Sequence, residues 1–199
     1  LLESTLNYPE LNNKYNIHLL KRIQLCPEAI TSDCIYTISC VDGVNGQKLS
    51  PRWLKDRIEK SGIKSINLLV DLTNYILLEQ GQPLHAFDKE KLSNLIGKEV
   101  SPVDFSVRKA KDNESLVCLD GKKYELNENI TVVTCCDKPV AIAGVIGGLE
   151  TSVSNTTSSI YLEGAVFNPV TIRKSSKAVG IRTESSSRYE KGISSKNTI

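Results

Sequence analysis

The chain has 199 residues, 40% of them hydrophobic and 24% charged, with a net charge of +2. That length buries a substantial core, as one large domain or two intimately fused lobes of a soluble globular protein. No apolar run approaches the roughly 20 residues that span a bilayer, and LLESTLNYPE lacks a basic or apolar signal segment, which argues against a membrane or export and for the cytoplasm.

There is no methionine, even at position 1, which reads as a piece cut from a longer polypeptide. Six cysteines, at 26, 34, 40, 118, 135 and 136, form no CxxC pair and meet no histidine cluster. They read as reduced, buried small hydrophobes, and no metal site is expected.

Residues 1–30, with Pro9 and Pro27, look like an edge or linker segment, and 31–199 like the folded module. Cys34 to Val41 predicts a strand. Ser50-Pro51 predicts a helix with Ser50 as cap, Trp53, Leu54 and Ile58 facing inward, and Gly62 as its end. Ile66, Leu69, Val70, Leu77 and Leu78 keep helical spacing from Ile66 to Glu79, with Thr73 and Asn74 on or beside the apolar face. Gly81-Gln82-Pro83 stops that helix, and Leu84 to Phe87 leads into a strand carrying His85.

The second half reads as short β-branched strands: Val100 to Ala110, Leu116 to Leu119, Lys123 to Leu126, Ile130 to Cys135, Val140 to Ile146 and Ile160 to Phe167. Asp120-Gly121 is a hairpin turn. Asn168-Pro169 opens a last helix that Gly180 closes, leaving the polar segment IRTESSSRYEKG. The pattern predicts an α+β fold, a layered sandwich of mixed or antiparallel sheets with a few flanking helices.

Three features bear on chemistry. TNYILLEQGQPLHAFD, Thr73 to Asp88, crowds a hydroxyl, an amide, two acids and an imidazole among apolar residues, as in a pocket wall. AGVIGG, Ala143 to Gly148, has neither the lysine and hydroxyl of a phosphate loop nor a following helix. Its glycines serve either close strand packing or the approach of a ligand to bare backbone. Glu163 lies among apolar neighbours in YLEGAVF, either in a salt bridge or accepting a bond from a ligand hydroxyl or a neighbouring donor. No nucleophile elbow or triad can be assembled, Ser185 to Ser187 included. From Arg173 to Lys196 seven basic residues face only Glu184 and Glu190, which reads as a phosphate-meeting surface or a solvated face.

SPRWLKDRIEKSGIKSINLLVDLTNYILLEQGQPLHAFD, the LDG hairpin, PVAIAGVIGG and YLEGAVFNPVTIRKSSKAVGIRTESSSRYEKG occur in order over about residues 40 to 193. In this they resemble the central B3/B4 module of the bacterial-type phenylalanyl-tRNA synthetase beta subunit. The resemblance implies a B3/B4-type fold and hydrolytic editing of tyrosine wrongly attached to tRNA(Phe), by attack of a positioned water on the aminoacyl ester. The alternative is a structural or tRNA-docking module of the same subunit, or, more distantly, a small-molecule binding domain.

Carried over by motif, Glu163 looks like the reader of the tyrosine hydroxyl, and Thr73, Asn74 and His85 line the amino-acid and ribose end as water or substrate positioners. Gly144 and Gly147 would give close backbone approach, and Thr183 and Ser185 the opposite wall. Ser185 stands where alanine is common, Ile146 where methionine is usual and Tyr189 where phenylalanine is usual. The resemblance also implies partners: the alpha subunit and the other beta-subunit domains in an alpha2beta2 enzyme. ATP and magnesium are expected only in that full synthetase, and no cofactor in this fragment.

Overall fold

A computed structural model describes residues 24–25 and 34–194. Two antiparallel sheets form its centre. The first has the order β1-β2-β10-β3, from Gln24–Leu25 (β1), Ile35–Asp42 (β2), Leu84–Asp88 (β3) and Ser159–Val166 (β10). The second has the order β4-β7-β8-β9, from Phe105–Lys109 (β4), Thr131–Cys135 (β7), Lys138–Ile142 (β8) and Ile146–Gly147 (β9). Ser115–Val117 (β5) and Lys123–Glu125 (β6) make the separate hairpin around Asp120-Gly121. Every ladder among the described residues is antiparallel, so the α+β expectation holds in its antiparallel form.

Alternation along β10 explains the layering. Ile160 and Leu162 face helix α2 (Leu68–Gln80), where they pack with Leu69, Ala86 and Val41. Tyr161, Glu163 and Ala165 face the second sheet, and the core there runs from Tyr36 and Ile38 through Phe87 and Phe105 to Val132, Val133 and Ile142. Phe87, Phe105 and Tyr161 link the sheets through ring contacts of 5.3–5.6 Å.

The helices correct several expectations. Ser50 does not cap α1 (Arg52–Lys60); Pro51 is the flanking residue, and the Ser50 hydroxyl donates to Asp71 at 2.5 Å instead. Leu54 and Ile58 are buried, but Trp53 is 53% exposed, edge-on to Tyr75 with the Arg57 guanidinium beside both rings. Ile66 precedes α2 and is 63% exposed, because Asn67 takes the cap and starts the helix at Leu68. Gly81 ends α2 in the left-handed region, as its position predicted.

Strand boundaries shift for local reasons. The region from Val100 begins with a 3₁₀ turn, Pro102–Asp104, so β4 starts only at Phe105. Val140 to Ile146 is not one strand: the chain turns at Ala143–Val145, with Gly144 at φ +65°, and returns as β9. Two helices lie where none is predicted. Lys89–Ile96 (α3) starts at Asp88, whose carboxyl accepts from the Lys91 N–H, and ends at left-handed Gly97. Glu184–Tyr189 (α5) starts at Thr183 in a capping box with Ser186, after Pro169–Val179 (α4) with its expected Asn168 cap. The proposed segment 1–30 lies outside the described residues, except for Gln24 and Leu25, which pair with β2.

Candidate functional site

Strands β3 and β9 are edges of their respective sheets, and between them lies a cavity of about 250 Å³. Its walls come from α2, the α2–β3 turn, β3, β10, the β8–β9 turn and the start of α5. Thr73, Asn74, His85, Gly144, Gly147, Glu163, Thr183 and Ser185 all line it. Residues from Thr73 to Ser185 thus converge on one space.

Glu163 is 6% exposed and accepts a hydrogen bond of 3.0 Å from the Tyr36 hydroxyl, from the neighbouring strand β2. The salt bridge considered for it is not formed among the described residues. Burial pushes its carboxyl up to about 7, against a smaller opposing effect of the Tyr36 bond. A carboxyl in that state accepts a hydrogen bond when charged and donates one when neutral.

His85 pairs directly with Glu163 across the β3–β10 ladder and stacks edge-on with Phe87 at 4.5 Å. The residue as a whole is half-buried, yet its Nε2 is sealed from solvent and has no hydrogen-bond partner. Desolvation lowers the imidazole to about 4, so it is neutral at physiological pH.

The two glycines make room for protein side chains. A Cβ on Gly147 would fall 2.4 Å from His85 Cε1 and 2.7 Å from its Nε2. A Cβ on Gly144 would fall 2.9 Å from the Tyr189 ring, 3.0 Å from Ile172 and 3.1 Å from Phe167. Close packing, one of the two readings of AGVIGG, is therefore present at both positions.

Thr183 is a structural member of the opposite wall. Its hydroxyl accepts from the Ser186 N–H and donates to the Val145 carbonyl at 2.9 Å, tying α5 to the β8–β9 turn. The Thr73 hydroxyl donates to Val70 within α2. Asn74 and Ser185 have no side-chain hydrogen bond among the described residues, so both keep donors and acceptors for a ligand.

Tyr36, and Tyr189 beyond its place as a departure from the motif, join the site although the sequence assigned neither to it. Tyr36 sits 127 positions from Glu163, and only strand pairing joins them. Tyr189 packs on Phe167 at 5.0 Å and donates to the Ala165 carbonyl at 3.2 Å, closing the cavity beside Gly144. Among the described residues no three His, Cys, Asp or Glu converge as metal ligands would.

The model of the B3/4 domain matches residues 33–199. The chain belongs to the B3/4 domain family. This B3/4 domain is 93% identical over 199 residues to the phenylalanine–tRNA ligase beta subunit of Prochlorococcus marinus strain MIT 9312, covering all of this chain and 24% of that one. It is 72% identical to the corresponding subunit of Prochlorococcus marinus subsp. pastoris, with the same coverage. It thus spans about a quarter of the length of these relatives. A crystallised N-terminal fragment of the Pyrococcus horikoshii phenylalanyl-tRNA synthetase beta subunit aligns at a TM-score of 0.42 and 14% identity, over 79% of this chain and 46% of that one.

Proposed function

We propose that this domain is the editing module of a phenylalanine–tRNA ligase beta subunit, hydrolysing tyrosine from mischarged tRNA(Phe). The observation that carries the reading is the buried Glu163 carboxyl facing a cavity of side-chain size whose walls mix apolar and polar residues. A synthetic pocket built for phenylalanine rejects an analogue with one added hydroxyl only weakly, about 100-fold in hydrophobic precedents. A second site that pairs a buried carboxyl with the phenol has the opposite preference, since phenylalanine brings the carboxyl no hydroxyl beyond that of Tyr36.

With the phenol at Glu163, the ester lies toward the polar side chains of α2 and β3. Asn74 and Ser185 offer hydrogen bonds to the amino acid or the terminal ribose. A neutral His85, turned from Gly147 toward the cavity, would orient the attacking water. Water adds to the ester carbonyl, the bond to the ribose oxygen breaks, and free tyrosine and a ribose hydroxyl result, without a covalent enzyme intermediate. The remaining beta-subunit domains and the alpha subunit would complete a cytoplasmic enzyme, with ATP and magnesium at its separate ligase centre.

The test is deacylation of Tyr-tRNA(Phe) and Phe-tRNA(Phe) by the whole ligase, with and without Glu163→Ala. The reading expects rapid release of tyrosine over phenylalanine, and loss of that preference by tenfold or more in the variant. Release no faster than in buffer would sink editing. Undiminished preference in the variant would sink Glu163 as reader.

A further inference from the structure

Beside the editing cavity lies a second depression, of about 460 Å³, between the end of α4 and the end of α5. Arg173, Lys177 and Arg182 line it, with Glu190 as its one acid. Arg173 and Lys177 stand four residues apart on α4, an arrangement in which like charges repel. Lys174 extends the same exposed cationic face toward Lys109 at the end of β4, and burial together with the Lys174 charge lowers the Lys109 ammonium.

Several cations elsewhere in the molecule are neutralised by a neighbouring acid. Arg108 is held by Glu114 and Asp137, Lys98 by Asp104, and Arg188 by Glu184. Arg173, Lys174, Lys177 and Arg182 have no ion-pair partner among the described residues, and all four are exposed. The fold gathers unneutralised positive charge here without using it internally.

The depression is continuous with the editing cavity along the chain. Gly180, Ile181 and Arg182 line the first, and Thr183, Glu184 and Ser185 line the second, so one backbone segment passes from one to the other. The far end of α5 repeats the relation, with Tyr189 on the cavity and Glu190 on the depression. A polyanion held by Arg182 is therefore led to the wall that Thr183 anchors.

We propose that the face formed by Arg173, Lys177 and Arg182 holds the phosphate backbone of the tRNA 3′ strand and feeds its aminoacylated end into the cavity. This rests on the editing reading. Fixed cations that release counterions from a single-stranded backbone give binding without base recognition, as an arriving 3′ end requires. Arg182, next to the cavity wall, meets the phosphates nearest the ester, and Arg173 and Lys177 meet those upstream.

The experiment uses the whole ligase and measures Tyr-tRNA(Phe) deacylation at several salt concentrations. Three variants are compared with wild type: Arg173→Gln/Lys177→Gln/Arg182→Gln, the charge-keeping Arg173→Lys/Lys177→Arg/Arg182→Lys, and Glu163→Ala. The glutamine variant is expected to raise KM about tenfold while the rate at saturating tRNA holds. Its slope of log KM against log salt should flatten by about 2, at ~0.7 per lost single-strand phosphate contact. The charge-keeping variant restores both, which a merely structural role for these side chains would not allow. If wild type deacylates and the glutamine variant keeps its KM and salt slope, the backbone track is wrong while editing stands. Wild type that fails to deacylate overturns editing and this track together.

Discussion

Glu163 lies directly opposite His85 across the β10–β3 ladder, so the two side chains share the core-facing side of the sheet. Burial acts on them in opposite senses, raising the carboxyl to about 7 and lowering the imidazole to about 4. Between those values both groups are uncharged, and the neighbours form no ion pair.

The pair makes a prediction about stability against pH. The native protein keeps the Glu163 proton to higher pH than the unfolded chain, so that contribution falls as pH rises from about 4.5 to about 7. The native protein gives up the His85 proton more readily than the unfolded chain, so that contribution rises from about 4 to about 6.5. In wild type the two trends nearly cancel. Glu163→Gln leaves the His85 trend alone, and denaturant titrations should then show stability climbing by about 3 kcal/mol from acid to neutral pH, at ~1.4 kcal/mol for each tenfold difference in proton affinity between the folded and unfolded chain. His85→Asn leaves the Glu163 trend, and stability should fall over the same range. Profiles that stay parallel to wild type in both variants would contradict the burial of both groups.

These two residues also show what the sequence made legible. Strands β2 and β10 lie within one residue of their predicted ranges, because alternation is a local signal. Gly81 and Gly180 marked helix ends, because a left-handed cap favours glycine. All eight cavity-lining residues fall in the motifs that carry the resemblance; Thr73, Asn74, His85, Gly144, Gly147 and Glu163 also lie in segments marked by their composition, whereas Thr183 and Ser185 follow from the resemblance alone. What stayed hidden depends on distant partners. The bond from Tyr36 to Glu163 follows from register across 127 positions. Trp53 stays 53% exposed, edge-on to Tyr75 and beside Arg57, a placement that no pattern within α1 encodes. Helix α5 is too short and polar to show a stripe, and its Thr183–Ser186 capping box lacks the Glu or Gln that would mark it in the sequence.

Gly147→Ala tests the packing of the site. The new methyl would overlap the His85 ring at Cε1 and Nε2, where the approach distances are 2.4 and 2.7 Å. The imidazole has to leave its sealed position, at a cost of about 1–3 kcal/mol for overpacking. Once it reaches solvent, its titration should move from about 4 toward 6.5. The chain has two histidines, so imidazole NMR resonances followed with pH read this directly. A His85 titration unchanged by the substitution would mean that the ring does not rest on Gly147.

Asp71 supports the cavity from behind. It is fully buried and accepts from the hydroxyls of Ser50 at 2.5 Å and Ser65 at 2.6 Å and from the Ile66 N–H at 2.9 Å. It thereby binds the start of α1 and the α1–α2 loop to the first turn of α2, two residues before Thr73. Asp71→Ala leaves three donors without their acceptor, each worth about 1 kcal/mol net and more if sealed from water. A loss of about 3 kcal/mol in unfolding free energy is expected. Hydrogen exchange should rise first at the start of α2, because the covalent link to β3 at Gly81 survives while the loop anchor does not. If stability falls but exchange rises uniformly, Asp71 supports the whole core and does not specifically hold the α2 wall.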